Sequence, residues 1–333
     1  MMAENEIYAD WNPWHGCTKT SPGCKYCYVY RQDEMYGAAE ASSICRRTGN
    51  FDLPVKRKRG GSYKIPPGRI VFTCFTSDFL LKDADEWRGE CWKMMRERRD
   101  CWFYFFTKRI DRLEECLPPD WGEGYDNVLI GCTVENQSMA DYRLPIFRTL
   151  PVKHRSIIAA PLLEELDISK YLDDNIEEVS VGGESGRDAR PCDYGWVLEL
   201  RCQCVEKNVP FRFHQTGAHF VKNGKMYNVR RPYQRSQARK AGIDYRIGEN
   251  FIPETAGVQE TAKKLGALLG REPIFTGEAS DTAYLNNAGK MFRLFGYPTV
   301  PLETLIEWQA QWILDGGRAL GKPTHFEERK GSY

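Results

Sequence analysis

Residues 127–136 read Asn-Val-Leu-Ile-Gly-Cys-Thr-Val-Glu-Asn. The opening apolar run is too short for a buried helix, and Thr133, Glu135 and Asn136 then turn the chain polar. The same pattern recurs at 69–74 (RIVFTC), 101–106 (CWFYFF), 155–160 (RSIIAA), 178–182 (EVSVG) and 210–213 (PFRF). Successive runs start 23 to 32 residues apart, the length of one strand plus one helix. Helix-like stretches lie between them. Residues 83–99 (DADEWRGECWKMMRERR) carry acids in the first turn and bases in the last, and 195–207 (GWVLELRCQCVEK) reads the same way. Short apolar strands alternating with helices predict a parallel sheet. Six such units predict a partial or closed parallel β/α barrel of the TIM-like kind. A doubly wound open sheet is the alternative.

The runs end in Thr76-Ser77-Asp78, Thr107-Lys108-Arg109, Thr133-Val134-Glu135-Asn136, Pro161-Leu162-Leu163-Glu164, Gly183-Glu184-Ser185-Gly186 and His214-Gln215. In a β/α barrel the C-terminal strand ends line the active site. Ordinary helix caps use the same residue types, which is the plainer reading of any single end.

The chain has 333 residues, of which 41% are hydrophobic and 13% aromatic, enough for a large core. No apolar run is long enough to span a bilayer, and the acidic, polar first ten residues are not a signal peptide. All twelve cysteines lie at or before Cys204. A reducing cytoplasm is therefore expected, with metal ligation favoured over disulfides. The net charge of +1 hides two basic segments. Residues 46–69 hold eight Lys and Arg against Asp52, and 222–246 hold eight against Asp244. Both look loop-like, one within an insertion at 37–69 and the other an extension at 222–246. Each could track a nucleic acid or another polyanion, or be a solvated loop. From Pro253 onward helical signals dominate. The expected division is a barrel domain, 1–248, and a mostly helical segment, 249–333.

Cys17, Cys24 and Cys27 stand in Gly16-Cys17-Thr18-Lys19-Thr20-Ser21-Pro22-Gly23-Cys24-Lys25-Tyr26-Cys27-Tyr28. The Ser-Pro-Gly turn can return Cys17 to the C-x2-C pair. Three readings follow: an iron–sulfur cluster on three thiolates, a structural zinc with His15 or Cys45 as fourth ligand, or a redox pair at Cys24 and Cys27. Spacing leaves all three open.

The segment from Trp11-Asn12-Pro13 to Cys27-Tyr28 resembles the opening signature of the phage- and prophage-associated radical SAM-like three-Cys-motif proteins. Further similarities follow in order: Phe75-Thr76-Ser77-Asp78, Phe106-Thr107-Lys108-Arg109, Thr133-Val134-Glu135-Asn136-Gln137, Asp141-Tyr142-Arg143, Val181 to Gly186, Ala189-Arg190-Pro191 and Phe213-His214-Gln215-Thr216-Gly217. They cover about residues 7–225. The chain departs from the pattern at Ala160, His214 and Thr216, where the family has Glu, Lys and Trp.

The resemblance implies a radical SAM-type barrel with a 4Fe–4S cluster on Cys17, Cys24 and Cys27. The open iron would chelate S-adenosylmethionine. An electron donor would drive its cleavage to a radical that takes hydrogen from a substrate. On that basis Gly183, Glu184 and Ser185 are expected at the methionine moiety or ribose. Lys108 and Arg109 are expected at a carboxylate or phosphate, and Glu135 and Asn136 at ribose hydroxyls. Ser77, Asp78, His214 and Gln215 complete the rim, with Tyr26 or Tyr28 beside the cluster or adenine. The alternative function is a non-enzymatic nucleic-acid-binding protein with a zinc or iron–sulfur staple. The stretches 272–278, 285–288 and 321–326 resemble the last part of NAD-dependent sugar epimerase/dehydratase proteins. The dinucleotide-binding G-x-G-x-x-G is absent, so no NAD chemistry is carried over. Such an appended piece is expected to expose Trp308 and Trp312.

Overall fold

The computed structural model describes residues 7–37, 43–246, 258–275 and 302–317. Its centre is a sheet of seven parallel strands: β1 (Tyr8–Trp11), β4 (Ile70–Thr73), β5 (Trp102–Thr107), β6 (Val128–Thr133), β7 (His154–Ala159), β8 (Ile176–Gly182) and β10 (Phe211–Gln215). They lie side by side in that order, each paired in parallel with the next. A doubly wound sheet would reverse its order part-way. None does here, so the alternative topology falls. The sheet curls into a half-barrel, with β1 and β10 as its two edges. The six apolar runs all form strands. The seventh strand, β1, lies just ahead of the cysteine loop: it is four residues long, Asp10 interrupts it, and only Trp11 is buried.

Helices α2 (Asp85–Glu97), α3 (Leu113–Cys116), α4 (Gln137–Thr149) and α5 (Tyr194–Glu206) connect the strands. Alternate strand residues face them. Phe103 and Phe105 of β5 are fully buried, and Trp92 of α2 meets Phe105 edge-on at 6.0 Å. Burying each such side chain contributes about 1.5–3 kcal/mol. The other face of the same strands carries a second aromatic set: Phe72 on Tyr8 (5.2 Å) and Tyr104 (5.9 Å), and Phe75 on Phe106 (4.6 Å).

The two basic segments fold differently. Residues 46–69 are mostly turns, apart from β3 (Arg46–Arg47), which pairs antiparallel with β2 (Trp14–His15). Phe51 and Ile65 are buried, and Arg98 donates to the carbonyls of Pro54 and Ile65, fixing the segment to the body. Residues 38–42 of the expected insertion lie outside the described residues. The second segment is not a loop. It is a hairpin, β11 (His219–Lys222) and β12 (Lys225–Asn228), followed by α6 (Arg231–Ala241). Asn223 and Gly224 both take positive φ (52° and 71°), the two-residue turn that Asn-Gly favours. That dipeptide was the missed signal. β11 also pairs in parallel with the short β9 (Cys192–Asp193). Gln234 and Ala238 of α6 are buried, so the helix covers the β10 edge.

The chain divides into two compact units, Met1–Gly248 and Glu249–Tyr333. In the second, α7 (Val258–Leu268) and α8 (Leu302–Leu314) contact each other, with Ile306 and Ala310 buried. Trp308 and Trp312 are 59% and 45% exposed. Stretches 285–288 and 321–326 lie outside the described residues, as do 276–278 of the stretch 272–278.

No described helix is long and apolar enough to cross a membrane.

Candidate site: the cysteine loop on the strand ends

The cysteine loop lies across the C-terminal ends of the parallel strands, and four of those ends hold it. At β4, Gly16 N–H donates to the Thr76 carbonyl (3.2 Å), Ser77 Oγ to the Gly16 carbonyl, and the buried Trp14 indole to the Asp78 carbonyl (3.3 Å). Beyond β5, Arg109 reaches Cys17 Sγ at 3.7 Å and Thr18 Oγ1 at 3.0 Å. At β6, Glu135 accepts from Gly23 N–H at 3.1 Å. After β8, Arg190 donates to the Pro22 carbonyl at 3.0 Å. Helix α1 (Tyr28–Met35) closes the loop: Tyr30 donates to the Cys17 carbonyl, and Arg31 to Ser185 Oγ at 3.1 Å.

Each carboxylate at this rim is already bound. Asp78 accepts from Thr107 Oγ1 (2.7 Å), Lys108 N–H (3.1 Å) and Arg109 (3.0 Å). It therefore aims Arg109 at Cys17. Glu135 is fully buried and paired with Arg143 at 2.8 Å. Burial alone would raise its carboxyl, but Arg143, Ser21, Lys108 and Gly23 N–H outweigh that and hold it below the usual range. Glu184 binds the Arg190 guanidinium with both oxygens, at 2.7 and 3.0 Å. These three carboxylates and their arginines orient the loop. Lys108 differs: its ammonium makes no ion pair among the described residues, and its charge acts on both Cys27 and Glu135.

The remaining rim residues fall elsewhere. Asn136 caps α4, accepting from Met139 N–H at 2.9 Å, so the cap reading holds there. Gln215 donates to the Gly183 carbonyl at 2.7 Å, and the His214 ring lies against Gly182. A Cβ on Gly183 would stand 2.4 Å from the Thr216 carbonyl oxygen, so only glycine fits. Nδ1 of His214 is buried without a partner. Burial, with Arg212 and Arg235 adding to it, pushes this imidazole down to about 4. Tyr28 donates to the Phe75 carbonyl, and Arg190 stands over the Tyr26 ring at 5.5 Å. Sequence reading passed over Arg31, Arg143 and Arg190. Arg143 and Arg190 sat inside quoted motifs, but only their position beneath the loop reveals a role. Arg31 carried no signal.

The three cysteines are free thiols within electrostatic reach of one another. Among the described residues no three His, Cys, Asp or Glu side chains are gathered as a ready metal cage. Burial, reinforced by Asp78, pushes Cys17 up to about 12, and burial raises Cys27. An activated redox thiol needs the opposite shift, which weakens the redox-pair reading. For the zinc reading, His15 Nε2 is held by Asp33 at 2.7 Å, a pairing that ligating histidines also use, and the charges acting on Cys45 are Asp83 and Arg88, so neither is singled out as a fourth ligand. Three soft donors on one braced loop suit a group that takes three thiolates and displaces their protons on binding.

Searches among curated proteins and among solved structures found no match. A family model described as a protein of unknown function (DUF5131) matches residues 6–272. With well over half its length matched, this chain belongs to the DUF5131 family.

Proposed function

We propose that the chain is a radical SAM-like enzyme of the reducing cytoplasm, with a 4Fe–4S cluster on Cys17, Cys24 and Cys27 and S-adenosylmethionine as its second cofactor. When bound and reduced by an electron donor, that pair supplies reductive cleavage of the sulfonium and hydrogen abstraction from a substrate. The observation that carries the reading is the bracing of one three-cysteine loop from four parallel strand ends. A loop held by Ser77, Arg109, Glu135 and Arg190 is preorganised for a reactive centre, where a mere staple would not need it. Lys108, a rim cation with no ion pair among the described residues, would take the ligand's carboxylate. Ser185, fixed by Arg31, and the Gly183 backbone would line the adjoining side. The basic segments support a phosphorylated or polyanionic substrate.

Anaerobic reconstitution with iron and sulfide tests this. A thiolate-to-iron absorbance band should appear and be lost in Cys17→Ala. Dithionite should then convert S-adenosylmethionine to methionine and 5′-deoxyadenosine. One zinc with no iron, or an intact cluster without cleavage, overturns the proposal. The exposed basic hairpin favours one second reading, a nucleic-acid-binding protein with a metal staple, and zinc in that analysis would select it.

A further inference from the structure

We infer that the β11–β12 hairpin and the start of α6 form a binding surface for single-stranded nucleic acid. As the partner surface of the proposed site it rests on that reading; as a binding surface it can be tested without it.

Residues 207–243 contain no acidic residue. Among the described residues, Lys222, Lys225, Arg230, Arg231 and Arg235 form no ion pair with a carboxylate. Elsewhere in the fold arginines are used structurally, as Arg98, Arg143 and Arg190 show. The hairpin even carries a cost. Lys222 and Lys225 face each other directly across the Asn-Gly turn, and like charges at opposed strand positions are destabilising. A polyanion would relieve that repulsion.

The aromatic complement stands beside these cations. Tyr227 and Tyr233 are 44% and 49% exposed, with Lys225 at 5.4 Å from the first ring and Arg230 at 5.3 Å from the second. Merely solvated lysines and arginines would not need exposed rings among them. Exposed π-faces next to free cations suit unstacked bases on a charged backbone. A duplex hides its base faces, so single strands are preferred. Placement agrees. Ala218, at the base of the hairpin, donates to the Glu184 carbonyl at 2.8 Å. Glu184 in turn holds Arg190, which clasps the cysteine loop. A strand bound here lies beside the proposed reactive centre.

Fluorescence anisotropy with labelled fifteen-nucleotide dT and U oligomers and a matched duplex tests the inference on the full chain. Binding should weaken steeply with salt, and both single strands should outcompete the duplex. Joint replacement Lys225→Glu, Arg230→Glu and Arg231→Glu should flatten the salt slope by about 2, from three lost phosphate contacts. Tyr227→Ala and Tyr233→Ala should each weaken binding about tenfold with the salt slope unchanged. Far-UV circular dichroism checks that these surface variants fold. Lys58→Glu and Arg59→Glu, in the other basic segment, should bind as the parent does. Cys17→Ala should also bind unchanged, so failure of the cluster chemistry and failure of this surface are read separately. No salt-dependent binding, duplex binding as tight as single strands, or parent-like binding by the hairpin variants would overturn it.

Discussion

Segments 46–69 and 222–246 carry the same number of Lys and Arg residues and a single acid each, yet the fold treats them differently. In the first, three of the eight cations are engaged: Arg47 pairs with Glu90 at 3.7 Å and covers Phe51, Lys56 pairs with Asp52 at 3.4 Å, and Arg57 covers Tyr63. In the second, Lys222, Lys225, Arg230, Arg231 and Arg235 line a hairpin and a helix with no carboxylate ion pair among the described residues. The same division runs through the cysteine-loop rim. Arg109, Arg143 and Arg190 hold structure, and Lys108 stays unpaired. A cation's role therefore follows from whether it is already partnered, more than from how many lie near it in sequence.

The sharpest way to break this contrast is to strip a committed pair. Glu135→Ala leaves the buried Arg143 charge uncompensated and frees Gly23 N–H, and should destabilise the chain by about 4 kcal/mol in chemical denaturation. A loss below 1 kcal/mol would mean the pair does not brace the loop. Next is Arg98→Ala, which orphans the Pro54 and Ile65 carbonyls beneath the first basic segment. A loss of about 3 kcal/mol is expected, with faster proteolysis confined to 46–69. If cleavage instead spreads evenly, that segment is not held by this residue.

A pH titration comes third. His214 is held neutral, with its folded value near 4 against 6.5 unfolded, so the unfolded chain binds the extra proton first. Its contribution is complete above pH 6.5 and is lost as pH falls toward 4, by about 3 kcal/mol. The difference between parent and His214→Gln stability curves isolates it, and parallel curves would refute it. The smallest effect belongs to the unpaired class. Lys108→Ala should change stability by less than about 0.5 kcal/mol, while weakening S-adenosylmethionine binding to reconstituted protein. Unchanged binding would remove Lys108 from the proposed role.

Much of the architecture was legible because it depends on local pattern. Apolar runs at strand length, each capped by polar residues, are written residue by residue, as are the charged ends of α2. β1 escaped because its four residues, Tyr-Ala-Asp-Trp, lack an apolar run and are held by pairing with β4. The hairpin at 219–228 escaped because its four-residue strands carry no apolar run beside the Asn223-Gly224 turn. At the rim, Ser77, Asp78, Arg109, Glu135 and Glu184 do gather around the cysteine loop. Asp78, Glu135 and Glu184 are, however, spent on arginines and backbone amides, and Asn136 on a helix cap.

By itself, then, the sequence determined the strand–helix rhythm, the three-thiol loop and the two concentrations of positive charge. Strand propensity, turn chemistry and charge are properties of neighbouring residues, and proximity in sequence carries them. Only the tertiary structure decided that the sheet stays open, that four strand ends meet the cysteine loop, and that one basic segment folds as turns while the other forms a hairpin and a helix. Those outcomes rest on contacts such as Glu135 with Gly23 and Arg190 with Pro22, which join residues more than a hundred positions apart. Ion pairing and hydrogen bonding fall off within a few ångströms, so they are settled only once the chain has brought such residues together.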